Sequence, residues 1–446
     1  MVETYEIIPS AKRLIKSLRD IGYDFSTAVA DLIDNSIEAG ASRIDIVIGF
    51  HGNDSYVRIS DNGNGMSREE LKEAMKYGSE REYQEEDLGK FGLGLKTASM
   101  SQCQRFSIAS KNNLTDPKNI PVFCWDLSHI ERTDKWEILN LKEDDTAELI
   151  SAPLADHIGT VVLWEKLDRI INFKQPEGGA AREKLILMCR ELETHLGIVF
   201  HKFLANEVPE RQLKIYLNNN KILPWDPFGR DESKTKVLSP IKIKLIYEDI
   251  SDKIILQPYV LPHKDEFSSQ DVFRRLSGPL NWNQQQGFYI YRANRMIQCG
   301  GWCGLRTSDE HTKLARIELN FSPKIDNLFK INVAKMRVQL PSQIKENIED
   351  AVRPVALLAR ECYDHAGKIS SSIPTSSSSD SYQDQNLLNK QTFPVKQDNL
   401  VTNKTLHLFT LDEIERHARG LSNETEKKIV SDIFSRLRKK LFGDRT

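Results

Sequence analysis

The spacing of apolar and polar positions divides the chain into segments of different period. Leu14, Ile15 and Leu18 recur at helical spacing behind Ser10, which can cap a first turn, and Gly22 closes the segment. A second helix is predicted from Ser26 to Ala39, ended by Gly40. Period-two alternation follows at Ile44, Ile46 and Ile48 and again from Tyr56 to Ile59, with further strand-like stretches near 105–109, 121–125 and 160–164. Helices mixed with mostly antiparallel strands predict a layered α/β domain.

The texture changes after about residue 175. Pro176-Glu177-Gly178-Gly179 precedes a long helical pattern from Arg182 to Phe203, then strands at 213–217, 241–247 and 288–291, with a hairpin turn at Asn218-Asn219-Asn220. This reads as a second α/β domain, extended by a helix from Pro341 to Cys362 with Pro341 in its first turn. Residues 368–406 carry Ser370-Ser371-Ser372 and Ser376-Ser377-Ser378-Ser379 and few large apolar groups, the composition of a flexible linker. Helical periodicity returns at 411–421 and 424–441. The expected division is therefore 1–174, 175–367, 368–406 and a small helical segment, 407–446.

Composition narrows the classes. A length of 446 residues with 39% apolar and 28% charged positions belongs to a globular chain. No apolar run reaches the ~18 residues of a membrane span, and the N-terminus lacks a signal-peptide pattern, so a cytoplasmic location is expected. Sixty-two basic against sixty-four acidic residues give a net charge of −2, which leaves room only for a local basic face such as Arg436-Leu437-Arg438-Lys439-Lys440. The six cysteines are scattered like reduced thiols, and Cys299 and Cys303 lack a second pair to complete a zinc site. Trp282, Phe288, Tyr289, Tyr291 and Trp302 are assigned to core packing rather than base stacking.

Three patterns carry candidate chemistry. In Ala30-Asp31-Leu32-Ile33-Asp34-Asn35-Ser36, Asp31 and Asn35 stand one helical turn apart, so a carboxylate able to hold a water and an amide able to ligate Mg²⁺ share a face. In Ser60-Asp61-Asn62-Gly63-Asn64-Gly65-Met66, a carboxylate at a strand end can accept from an amino group while the glycines permit a sharp turn. In Gly89-Lys90-Phe91-Gly92-Leu93-Gly94-Leu95-Lys96-Thr97, a glycine-rich loop runs into a helix whose N-terminal N–H groups suit phosphate oxygens, with Lys90 and Lys96 adding charge. Alone, each also reads as a solvated helix face or an ordinary turn. The third lacks both the dinucleotide-binding context and the P-loop ending.

Together, in this order, the patterns resemble the GHKL ATPases, the superfamily of gyrase B subunits, ninety-kilodalton heat-shock chaperones, histidine kinases and MutL. The wording is most similar to the MORC branch and its bacterial relatives, and Gly159-Thr160 matches a late Gly-Thr motif. The resemblance covers about residues 10–365. It implies a two-layer α/β sandwich of Bergerat type followed by a transducer-like α/β domain. It also implies ATP and Mg²⁺ as ligands, with Asn35 on the metal, Asp61 on the adenine amino group beside Gly63, Gly65 and Met66, and Thr160 in support. Gly89, Lys90, Phe91, Gly92, Leu93, Gly94, Leu95 and Lys96 would form the lid, and Lys335 would reach the terminal phosphate. Asp31 would be the catalytic base, although hydrolytic relatives usually carry Glu. The missing methylene retracts the carboxylate by about 1 Å, a misplacement that can cost roughly a hundredfold, so slow hydrolysis is expected. Asp34 ranks second as a base because it lies ~100° around the helix from Asn35. No His precedes Asn35, which removes the histidine-kinase reading, and the segment after the linker is too short for a MutL-type endonuclease domain. The implied activity is an ATP-driven homodimeric clamp on DNA, possible in an anti-phage or restriction-type setting. The alternative is an ATP-switched chaperone-like scaffold that binds a protein partner through 407–446 without DNA. No membrane partner is expected.

Overall fold

The computed structural model describes residues 5, 9–20, 22–78, 94–116, 119–141, 145–209, 211–247, 250–329 and 338–370. Helix α1 (Ala11–Arg19) opens at Ser10, whose hydroxyl oxygen accepts from the Arg13 N–H at 3.3 Å. Helix α2 (Phe25–Glu38) opens at Asp24, which accepts from the Thr27 N–H at 2.8 Å, and Gly40 follows its end at φ 74°. Then come β1 (Arg43–Gly49), β2 (Tyr56–Asp61), α3 (Arg68–Ala74), α4 (Gly94–Gln102), β3 (Arg105–Lys111), β4 (Val122–Asp126), α5 (Leu127–Thr133), β5 (Leu139–Asn140), α6 (Asp145–Ser151) and β6 (Gly159–Glu165). The second half supplies α7 (Gly179–Val199), α8 (His201–Leu204), β7 (Lys214–Leu217), β8 (Asn220–Lys221), β9 (Lys236–Val237), β10 (Ile241–Tyr247), β11 (Ile250–Val260), α9 (Gln270–Leu276), β12 (Gly287–Arg292), β13 (Arg295–Cys299), β14 (Ala315–Phe321), α10 (Asp326–Phe329) and α11 (Lys345–Ser370).

Among the described residues, eight strands form one sheet in the order β5-β4-β3-β6-β2-β1-β7-β8, antiparallel except where β7 runs parallel to β1. The β7–β8 hairpin turns through Asn218 and Asn219, both at positive φ, the two-residue turn expected of its Asn run. Helix α2 is buried from Thr27 through Ile37, apart from a half-buried Asn35, because α4 and α7 both pack against it. On the other face, Ile150 and Leu154 pack with Ala109, Val122, Val161 and Leu163.

A second sheet, in the order β10-β11-β14-β12-β13 with β9 on β11, has β12 and β14 parallel. Ile243, Leu245, Ile254 and Leu256 form its core with Ile348, Val352, Val355, Ala356 and Ala359 of α11. The bounds of this helix depart from expectation at both ends. Pro341 is extended ahead of a short 3₁₀ turn, so the α-helix opens only at Lys345, and it continues to Ser370, three residues into the stretch read as linker. Pro354 is tolerated on the exposed side of this helix.

Strands β11 and β14 were not anticipated: Pro258 interrupts the first pattern, and Arg316 and Glu318 interrupt the second although both are buried. Phe288 and Trp302 are core residues with Trp282 packed against the same core, and Tyr289 and Tyr291 are buried in a second cluster with Phe228 and Tyr259. Burial holds the His201 imidazole down at about 3, so it stays neutral beside the Tyr291 hydroxyl, 2.6 Å away. No helix among the described residues is long and apolar enough to cross a membrane.

Candidate functional site

The site is organised along α2. Asp31 is buried, and its Oδ2 accepts from the Tyr23 hydroxyl at 2.8 Å. Burial and the adjoining carboxylate hold the Tyr23 phenol well above its ordinary range, so it remains a donor. Asp31 Oδ1 lies 3.6 Å from Nη2 of Arg295, which arrives from β13. The same guanidinium donates from Nε to Asp34 Oδ1 at 2.8 Å. Asp34 is 0% exposed, which closes it to an attacking water. Asn35, one turn beyond Asp31, is half-buried.

Helix α4 begins beside Asp31: a β-carbon built on Gly94 would lie 3.6 Å from Asp31 Oδ2. The N–H groups of the first turn of α4 therefore open next to the carboxylate, where they and the helix dipole favour an anion. Leu95 is half-buried there. Lys96 goes elsewhere. Its Nζ donates to the Ala74 carbonyl at the end of α3, at 3.0 Å, and burial lowers its pKa to about 8. Helical spacing alone could not foresee that the side chain turns toward α3.

The other end of the site gathers around Asp61, at the close of β2. Its Oδ1 accepts from the Gly63 N–H at 2.9 Å and the Thr160 N–H at 3.3 Å, and its Oδ2 accepts from the Ser36 hydroxyl at 2.8 Å. Burial raises its pKa and outweighs the opposing effect of these donors. The Ser110 hydroxyl oxygen accepts from the Met66 N–H at 2.8 Å and lies 2.9 Å from Thr160 Oγ1, tying the glycine loop to β3 and β6. Ser36 and Asp31 are five residues apart on α2, or ~7.5 Å along the axis. One helix thus spaces a neutral-donor cradle from a carboxylate and helix-terminus pair.

Gly65 is needed for chain approach. At φ 67°, a β-carbon there would sit 2.0 Å from the Lys111 carbonyl oxygen. Gly65→Ala is expected to destabilise the fold by about 3 kcal/mol or more, through overpacking and backbone strain, read as a lower urea midpoint at unchanged slope.

Gly89, Lys90, Phe91, Gly92 and Leu93 of the expected lid, Lys335, and 407–446 lie outside the described residues. Next to the Lys335 segment, the Gln339 N–H donates to the Phe329 carbonyl at 2.9 Å. Sequence reasoning missed Tyr23, Ser36, Ser110 and Arg295. Ser36 closes the Asp31–Asn35 helix pattern and Arg295 lies past the 288–291 strand, but neither has a spacing signal that points to its partner.

Residues 23–160 match the family model described as histidine kinase-, DNA gyrase B- and HSP90-like ATPase. Similar curated proteins carry the name DNA mismatch repair protein MutL. The one from Azorhizobium caulinodans is 36% identical over 100 residues, 22% of this chain and 15% of that protein. The one from Shewanella woodyi is 27% identical over 221 residues, 48% of this chain and 31% of that protein, and the one from Thermosipho africanus is 35% identical over 91 residues, 19% and 16%. The matches thus span between 15% and 31% of the length of these relatives.

Proposed function

We propose, from the membership of residues 23–160 in the superfamily of histidine kinase-, gyrase B- and HSP90-like ATPases, that this chain binds Mg²⁺-ATP along α2 and hydrolyses it slowly. The observation that carries the reading is the placement of two unlike ends on one helix. Asp61, held by Ser36, suits an exocyclic amino group, and Asp31 beside the start of α4 suits a terminal phosphate and its water. The donor chemistry fits both ligands: a cradled carboxylate at one end, N–H groups at the other, and an amide oxygen on Asn35 for a hard cation.

In this reading the water oxygen bonds to the γ-phosphorus while the bond to the β,γ-bridging oxygen breaks. ADP leaves with that electron pair, and Asp31 takes the water proton through Oδ2. Bound Mg²⁺ supplies charge neutralisation on the phosphates, and Asn35 would hold it. Asp61 orients the base, Thr160 supports Asp61 through its N–H, and Lys335 is the candidate for the terminal phosphate. The retracted Asp31 side chain and its two existing partners favour slow turnover.

The MORC-like wording supports an ATP-gated homodimeric clamp acting on DNA, and its bacterial relatives support an anti-phage or restriction-type setting. MutL relatives named for DNA mismatch repair point the same way on the polymer. A second reading, an ATP-switched scaffold for a protein partner, is favoured by the net charge of −2. One set of measurements separates them: phosphate release with and without duplex DNA at two salt concentrations, and light-scattering mass with a non-hydrolysable ATP analogue. The clamp predicts DNA-stimulated, salt-sensitive turnover and an analogue-dependent doubling of mass. Turnover indifferent to DNA favours the scaffold, and an unchanged monomer mass removes the gating step.

A further inference from the structure

We propose that Arg295 is a positioning residue that sets the orientation of the base from the second sheet. Its guanidinium is anchored by a hydrogen bond to Asp34 and pairs electrostatically with Asp31 Oδ1, so that Oδ2 of Asp31 is left toward the start of α4. The inference rests on the ATPase reading above and names how the second sheet reaches that site.

Three features support it. First, the guanidinium is fixed at both its origin and its destination. The β12–β13 hairpin turns tightly through Ala293 and Asn294, at φ 46° and 67°, between the paired Arg292 and Arg295. Arg292 is itself locked by Nε bonds of 2.9 and 2.8 Å to the two oxygens of Asp326. The Arg295 side chain is 3% exposed and lies over the Phe200 ring, 5.8 Å from its centroid.

Second, Asp31 and Asp34 are three residues apart and share a helix face. With Arg295 between them their charges are bridged. Without it, two buried carboxylates would repel, and rotation of Asp31 away from its position near Gly94 is one way that repulsion is relieved. Third, the two oxygens of Asp31 have different neighbours: Oδ2 accepts from the Tyr23 hydroxyl at 2.8 Å, and Oδ1 lies 3.6 Å from Arg295 Nη2, an ion-pair distance. A carboxylate oxygen that accepts one bond still has a lone pair for a water. The nearby His195 is kept neutral by burial and by Arg295, so it does not compete for either carboxylate at neutral pH.

A buried ion pair adds little net stability compared with a well-packed apolar substitute, so stability alone gives weak reason for charge here. Its effect is orientation. Any displacement of the β12–β13 hairpin relative to α2 would turn Asp31.

The test uses the full chain with Arg295→Lys, Arg295→Met and Arg295→Met/Asp34→Asn, the last restoring the charge balance in case the single variant fails to fold. Turnover, KM and the affinity for a non-hydrolysable ATP analogue are measured together with the melting temperature. Arg295→Met and the double variant are expected to lose about ten- to a hundredfold in kcat while KM and analogue affinity stay within about twofold. Arg295→Lys is expected to recover part of the loss. Undiminished kcat in a folded Met variant overturns the proposal. So does a fall in analogue affinity parallel to kcat, which would make Arg295 a general support of the nucleotide pocket. A wild-type chain that binds ATP but releases no phosphate overturns the ATPase reading and this inference together, a result distinct from turnover that survives Arg295→Met.

Discussion

Asp31→Asn should reduce ATP turnover by about a hundredfold or more, the scale of a lost general base, with nucleotide affinity nearly unchanged. The amide keeps the shape of the carboxylate, and with its oxygen on the Tyr23 hydroxyl its NH₂ faces the Arg295 guanidinium, so the variant is expected to lose some stability while keeping its fold. Its oxygen can still accept from the Tyr23 hydroxyl. What it cannot do is take a proton from water at neutral pH. Asp34 is not expected to substitute, because it is fully buried and its Oδ1 accepts from Arg295 Nε at 2.8 Å. Single-turnover phosphate release, compared with analogue binding, checks the separation. Full turnover in the Asn variant would place the base elsewhere.

The second large effect is expected at Asp61. Asp61→Asn should weaken ATP binding by more than about tenfold and destabilise the fold by roughly 2 kcal/mol, the scale of one buried donor left without an acceptor. Three donors converge on this carboxylate, from Ser36, Gly63 and Thr160. An amide offers one acceptor oxygen to them, and its NH₂ must face a donor.

Acid should have a related effect. The Asp61 pKa is raised above the ordinary 3.8 by burial, so the ionised form that accepts from an amino group is lost at a higher pH than an exposed Asp would lose it. The contribution to stability runs the other way. A raised folded-state pKa means that the protonated group favours the fold: the contribution is fully present below the unfolded value and is lost as pH rises through the folded one. Mild acidification should therefore release nucleotide without Asp61 itself promoting unfolding. Titrating analogue affinity and melting temperature over the same pH range tests this, and a parallel fall of both would contradict it.

Much of the layered α/β architecture was legible because helices and strands leave local periods. The Ser10 cap, the positive-φ Gly40 and the Asn218-Asn219 turn each act within a few residues, so the chain announces them, while the Asp24 cap shows only in the structure. Strands β11 and β14 stayed hidden because their polar members, Arg316 and Glu318 among them, are buried by partners distant in sequence. Lys96 illustrates the same limit within the candidate site. Glycine-rich wording suggested a phosphate contact, and only packing against α3 sends the ammonium to the Ala74 carbonyl.

The sequence by itself determined that Asp31 and Asn35 occupy one side of a helix, that Asp61 closes a strand ahead of a glycine turn, and that Gly94 can begin a helix. Each follows from the 3.6-residue helical period, strand termination or backbone freedom, and none needs a distant residue. Tertiary structure alone decided that Asp61 draws donors from three elements, that Asp34 is sealed, and that Arg295 reaches Asp34 across 261 positions of chain. Such a contact depends on how two sheets and the helices between them are stacked. A long-range ion pair imposes no period on the residues around it, so the sequence carries no trace of it until the chain has folded.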